Sequence, residues 1–162
     1  MDETIEYRDA TPNDEEALAD LWWNMQVLHH EIEPVWYGDK GEESCKASWR
    51  EHYRSLLQDE STIIIVASSA DSPVGMIVSK LSRRAPIYTM ERMLSIASIV
   101  VHPCYRRRGV FTGMLSILER KARDAGITVM RLSAHQRNVD ARKAYEKTGF
   151  VPEATSMIKW IG

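Results

Sequence analysis

The sequence predicts a mixed α/β fold built around one sheet, and three observations predict it. Apolar periodicity switches repeatedly along the 162 residues between two, the spacing of a half-buried strand, and three to four, the spacing of an amphipathic helix. Gly, Pro, Asn and Asp punctuate nearly every switch at cap and turn positions. Hydrophobic residues make up 44% and charged residues 27% of the chain, which is ordinary globular usage and excludes a disordered or collagen-like chain. The length suits one domain over residues 1–162, able to bury roughly 70% of its unfolded surface.

In chain order, Thr4–Arg8 alternates apolar and polar and reads as a first strand. Thr11 follows as a helix N-cap, with Pro12 in the first turn and Asp14 at the third position. Leu18, Leu21, Trp22, Met25, Leu28 and Ile32 then give the helix one buried face, and Pro34 and Gly38 stop it. Cys45, Trp49, Tyr53 and Leu56 repeat the pattern on a second helix over Glu42–Gln58. The β-branched run Thr62–Ser68, the turn residues Ala70–Pro73 and the run Val74–Leu81 make a hairpin. Met93–Val101 is a long strand, and Gly109 opens a helix whose buried face is Val110, Met114, Leu115, Leu118 and Ala122, with Gly126 as its C-terminal cap. Thr128–Ser133 is a strand, Val139–Thr148 a helix, and Ser156–Ile161 a final strand after Pro152. There is no repeat, low-complexity segment or linker, so the order is that of one mixed α/β domain.

The net charge of −2 hides a strong division. Residues 1–60 carry 16 acids and 5 bases, a net of −11, whereas residues 61–162 carry 7 acids and 16 bases, a net of +9. Wholesale nucleic-acid coating is disfavoured, while one half is suited to an anion and the other to a cation. Two cysteines, Cys45 and Cys104, make no disulfide framework, and the acidic start Met1-Asp2-Glu3-Thr4 is unlike a targeting peptide. No apolar run approaches the ~20 residues of a membrane span, so a cytoplasmic address is expected.

The chemistry concentrates where the long strand meets its helix. In Val101-His102-Pro103-Cys104-Tyr105-Arg106-Arg107-Arg108-Gly109, a buried strand runs through a short loop into a helix N-terminus. Backbone N–H groups of a first helical turn lack intrahelical partners, and the helix dipole favours negative charge there. Gly109 removes a side chain near that turn, and three arginines add fork-shaped donors. Together these predict a phosphate site. It is not a P-loop, lacking Gly-Lys-Ser/Thr, nor a dinucleotide fingerprint, lacking the triple-glycine spacing.

Arg106-x-x-Gly109-x-x-x-Gly113 resembles the acetyl-CoA pyrophosphate loop of the GCN5-related N-acetyltransferases, whose pattern is Gln/Arg-x-x-Gly-x-Gly/Ala. A second motif supports the resemblance independently: Asn138 through Phe150 is similar to that family's Asn-x-x-Ala-x-x-x-Tyr-x-x-x-Gly-Phe. The two motifs keep the family's usual separation, with one helix and one strand between them. Phe111 departs from the pattern, standing where Gly or Ala is usual, and its ring is expected to turn away from the pyrophosphate.

The resemblance implies the GNAT-type fold, a single mixed, mostly antiparallel twisted sheet flanked by helices and splayed where coenzyme enters. It implies acetyl-CoA as acyl donor and no metal. Ile99, Val100 and Val101 would hold the pantetheine through main-chain groups, and Arg106, Arg107, Arg108, Gly109, Val110, Phe111 and Thr112 the pyrophosphate. Asn138 would be both helix cap and coenzyme contact. Tyr145 would be the catalytic acid, since the departing thiolate needs a proton and a phenol of pKa about 10 can supply it. The implied reaction is direct attack by a primary amine, of a small molecule or a protein, on the thioester in a ternary complex.

The alternative reading is an acyl-CoA-binding sensor or interaction module without effective turnover. It draws on Ser95, which stands where many members of the family have a Glu base. Glu91, or a relay through water and backbone carbonyls, is the substitute, and no base is assigned. His29, His30, Glu31, Glu33, Asp39, Glu42 and Glu43 lie in the segment that walls the acceptor site in the family, and its acids would attract a cationic amine by their field. Neither these histidines nor His102-x-Cys104 has the spacing of a metal site. Trp23, Trp36 and Trp160 are candidates for core or for a homodimer surface, and neither nucleic acid nor membrane is an expected partner.

Overall fold

The computed structural model describes residues 4–161. Strand β1 (Ile5–Asp9) leads through a short 3₁₀ turn at Pro12–Asp14 into α1 (Glu15–Ile32) and α2 (Glu42–Gln58). The hairpin β2 (Thr62–Ser69) and β3 (Ser72–Arg83) follows, then β4 (Arg92–Val101), α3 (Val110–Asp124), β5 (Met130–Leu132) and α4 (Val139–Lys147). The sheet order is β1-β2-β3-β4-β5, antiparallel except for β5, which joins β4 in parallel after crossing over through α3. The expected mixed, mostly antiparallel sheet is present.

Local chemistry explains the boundaries. Asp14 accepts from the Thr11 amide at 2.7 Å and from both terminal nitrogens of Arg8 at 2.8 and 2.7 Å. Burial opposes its charge, yet the Arg8 guanidinium and the Thr11 donors hold its carboxyl below the usual range. Thr11 therefore opens the 3₁₀ turn, and α1 begins one turn later than the capping pattern suggests. Ala70 and Asp71 adopt φ of 46° and 63°, the left-handed pair that a two-residue hairpin needs to match strand twist.

The run Ile63–Ala67 is apolar without interruption because β2 is covered on both faces. Ile64 and Val66 pack with Met76, Val78 and Val100 beneath Leu18 and Leu21 of α1 and Trp49 and Tyr53 of α2. Ile65 and Ala67 pack with Ile77, Leu94 and Ile96 beneath Met114, Leu115 and Leu118 of α3. Gly113 lies on that second face for want of room, since a β-carbon there would sit 2.2 Å from the Tyr7 ring.

One expected element is absent. Ser156–Ile161 forms no strand; residues 151–161 are exposed throughout and in no regular element. Residues such as Ile158, Trp160 and Ile161 suit a pleated surface, but a strand also needs a partner edge. Pro152 removes a ladder donor near the start of this segment, and the outer edge of β5 is three residues long. Among the described residues, no helix is long and apolar enough to cross a membrane.

Candidate functional site

The site begins with an irregularity in β4. Val78 pairs with Ser98 and Ser79 with Ile96, so Ala97 is an extra residue that bulges from the ladder. Before the bulge, Leu94, Ser95 and Ile96 pair with Met130, Arg131 and Leu132 of β5. Beyond it, Ser98, Ile99, Val100 and Val101 keep their β3 partners, while β5 has already ended. A bulge bends its strand and increases local twist. The β4 edge facing away from β3 is thereby left open over Ser98–Val101, and a gap separates it from the chain that follows β5.

The open edge points at the three-arginine loop. His102 donates its amide to the Val74 carbonyl at 2.8 Å, anchoring the loop to β3. A 3₁₀ turn over Pro103–Tyr105 then reverses direction, and Arg106 Nε donates to the Val101 carbonyl at 3.1 Å. Arg107 holds the left-handed φ of 59°, unusual for a residue with a side chain. Arg106, Arg107 and Arg108 are exposed, the Arg108 guanidinium lying 5.5 Å from the Tyr105 ring centroid.

Gly109 caps α3 with φ of 79° and no side-chain hydrogen bond to the first turn. A β-carbon there would meet no protein atom within 4 Å, so what the fold itself asks of this glycine is the left-handed backbone angle. The first intrahelical bond reaching back to the cap is Gly113 to Gly109 at 2.9 Å. The amides of Val110, Phe111 and Thr112 therefore head a helix terminus without a side-chain cap, beside three cations, which suits an anion. Val110 is buried, whereas Thr112 faces out.

Phe111 turns its ring into the core on the α3 face, as its departure from the motif requires. There it meets Tyr145 of α4 edge-to-face at 5.6 Å, and Tyr145 meets Phe150 at 6.2 Å. Burial raises the Tyr145 phenol above its usual pKa of 10. Its hydroxyl makes no hydrogen bond among the described residues. Asn138 caps α4, accepting from the Ala141 amide at 3.3 Å, which leaves its amide nitrogen for another partner. Arg142 donates to the Gln136 carbonyl at 3.2 Å.

Ser95, where the family often has a Glu, brings no acid to the gap, and Glu91, the substitute that the sequence offered, loses ground. Ser95 lies within the paired part of β4, where Ser82 Oγ donates to its hydroxyl at 2.8 Å. Glu91 precedes β4, eight residues from Ile99, about 25 Å away at strand rise. No carboxylate of β4 faces the gap. Among the described residues no group of three or more His, Cys, Asp or Glu could hold a metal ion.

Sequence reasoning missed a cluster on the other side of the gap. His29 stacks on Tyr37 with centroids 4.7 Å apart, and Tyr37 meets His135 at 5.7 Å. Arg137 pairs with Glu33 at 2.7 Å. His135 lies three residues past Leu132 in the loop between β5 and α4, hence within about 10 Å of the end of β5. The end of α1 and the loop after β5 thus meet through Glu33–Arg137 and Tyr37–His135, while Tyr145 packs against Phe111 of α3. His29 and Tyr37 stand more than ninety residues from His135, so no local sequence signal joins them.

Solved structures that share this fold include acetyltransferases. The sequence profile of the acetyltransferase (GNAT) family matches residues 16–150. A possible acetyltransferase from Clostridium difficile 630 superposes with a TM-score of 0.73 at 23% identity, with 99% of each chain covered. Ribosomal-protein-alanine N-acetyltransferase from Brucella melitensis gives 0.70 at 18% identity, covering 98% of this chain and 100% of that one. Aminoglycoside N-acetyltransferase AAC(6')-Iy, solved in complex with CoA, gives 0.73 at 15% identity, covering 100% and 97%. At these identities the likeness is one of fold. No curated protein matches the sequence.

Proposed function

The chain belongs to the acetyltransferase (GNAT) family, and from that premise we propose that it transfers the acetyl group of acetyl-CoA to a primary amine, by direct attack in a ternary complex. The observation that carries this reading is the open β4 edge running into an uncapped, arginine-flanked α3 N-terminus. An extended amide chain can add to the one as a further strand, and a pyrophosphate can seat on the other.

The residues fit that donor. Backbone groups of Ile99 and Val100 on the open edge would hold the pantetheine; the Val101 carbonyl already accepts from Arg106, which fixes that arginine beside the loop. The amides of Val110, Phe111 and Thr112 would hold the pyrophosphate, with Arg106, Arg107 and Arg108 completing its charge balance. Asn138 would contribute its unused amide nitrogen. Acetyl-CoA supplies an activated thioester carbonyl.

The amine nitrogen forms its bond to the carbonyl carbon as the carbon–sulfur bond breaks. Tyr145 would give its proton to the departing sulfur, and with its pKa raised by burial the phenol is fully protonated at neutral pH. The amine's own proton would pass to water, since β4 offers no carboxylate to take it.

Acetyl-CoA is expected to raise the melting temperature, and an amine panel assayed for free thiol is expected to show turnover. No thermal shift at millimolar acetyl-CoA would remove the coenzyme site; a shift without thiol release from any amine would leave binding and remove transfer.

A further inference from the structure

Phe111 departs from the Gly or Ala of the coenzyme-loop pattern, and its two ends face different tasks. Its amide belongs to the first turn of α3, behind the Gly109 cap, while its ring packs into the core on the α3 face. That ring meets Tyr145 of α4 edge-to-face, with centroids 5.6 Å apart and planes at 65°. One residue therefore belongs both to the arginine-flanked helix start and to the surroundings of the phenol.

Tyr145 has little else to keep its orientation. No hydrogen bond holds its hydroxyl among the described residues, so the plane of the phenol is set by what packs against the ring. The helix that carries it adds little, since none of the nine residues of α4 is buried. Phe150 also meets the ring, at 6.2 Å, but its amide donates to the Tyr145 carbonyl at 3.1 Å, so it belongs to the same end of α4. Phe150 moves with the helix. Phe111 ties the phenol to a different element, one anchored by the buried Val110, Met114, Leu115 and Leu118. An edge-to-face pair prefers an angle as well as a distance, and so fixes a ring's plane.

Resting on the acetyl-transfer reading, we propose that Phe111 is a positioning residue, whose ring holds the Tyr145 phenol in the orientation from which its proton reaches the departing sulfur. The main chain of residue 111 faces the anion and its side chain faces the acid. Removing the ring therefore leaves the coenzyme's amides in place and frees the phenol.

The test measures kcat, KM and pH profile for Phe111→Ala and Phe111→Leu, each alone and combined with Tyr145→Phe, by thiol release with the best acceptor of the amine panel. Phe111→Ala is expected to lower kcat about tenfold with the KM for acetyl-CoA near wild type, because a misaimed reacting group costs rate and not coenzyme binding. Phe111→Leu keeps more apolar volume, loses less rate, and carries the same comparison if the alanine loosens the α3 face. Neither change is expected to slow Tyr145→Phe further, since that chain has no phenolic proton to aim. Burial raises the Tyr145 pKa above 10, and water admitted beside the phenol in Phe111→Ala lowers it, so the alkaline limb moves down toward pH 10. Tyrosinate absorbance, taken as the difference between each chain and its Tyr145→Phe counterpart, reads that movement without turnover. Equal fractional losses of rate with and without the Tyr145 hydroxyl, or an unchanged rate and alkaline limb, overturn the positioning role and leave acetyl transfer standing. Absence of thiol release from every amine in the unaltered chain removes the transfer reading and this role with it.

Discussion

The half of the sheet from β1 to β4 and the region between β4 and α4 are built on opposite terms. In the first, every strand has a hydrogen-bonded neighbour and apolar helices on both faces, so Ile65, Ile77, Leu94 and Leu118 are wholly buried. In the second, β5 pairs through three residues, α4 has no buried residue, and residues 151–161 are exposed. The bulge at Ala97 is the border between them. The difference teaches that stability and reactivity are separated along one strand: Leu94 and Ile96 pack core, while Ile99–Val101 present backbone.

Substitutions on the two sides sharpen that contrast. Leu118→Ala, at 0% exposure between α3 and the sheet, is expected to cost about 3–5 kcal/mol in urea unfolding. A cost near zero would mean that the α3 face does not hold the sheet. Tyr145→Phe is expected to slow turnover about a hundredfold, or about 2.7 kcal/mol of barrier. Its urea midpoint and acetyl-CoA affinity should stay close to wild type, because the hydroxyl has no partner to lose. The wild-type rate should also fall only as pH rises past 10, since burial raises the phenol pKa from that value, and Tyr145→Phe should lack this alkaline limb. Equal rates in the two proteins would take Tyr145 out of the chemistry.

Gly109→Ala meets no neighbouring atom, so its cost is that of the left-handed angle alone, about 1–2 kcal/mol. The same change should shrink the thermal shift given by acetyl-CoA, because the α3 amides follow the cap. A variant with normal stability and a normal shift would show that the cap angle is dispensable. The smallest effect is expected from ending the chain after Val151, within about 0.5 kcal/mol in urea unfolding, since exposed residues in no regular element contribute little. A loss well above that would place the segment against the sheet and erase the contrast at its outer edge.

Much of this was legible in the residues. The helix α2 was readable near Glu42–Gln58, because its stripe of Cys45, Trp49, Tyr53 and Leu56 has one period throughout. The β2–β3 hairpin and the start of α3 were readable for the same kind of reason: turn and cap residues interrupt two unambiguous periods. The two motifs marked the loop and Tyr145 but not their surroundings. Gly113 is small because Tyr7 of β1, over a hundred residues earlier, lies against it. The final strand failed because the strand-favouring residues of Ser156–Ile161 describe side chains, whereas a strand is a statement about a neighbour's backbone.

The sequence by itself determined what depends on residues close in the chain: the order and period of the elements, the arginine-flanked helix start, and the motif that carries Tyr145. Helices, caps and turns are local, so their signals are local. Only the tertiary structure decided where β4 parts from β5, which edge stays open, and which rings from the loop after α1, the β5–α4 loop and the C-terminal segment meet. Those depend on strand register and packing between distant segments, and a single residue out of register at Ala97 sets them.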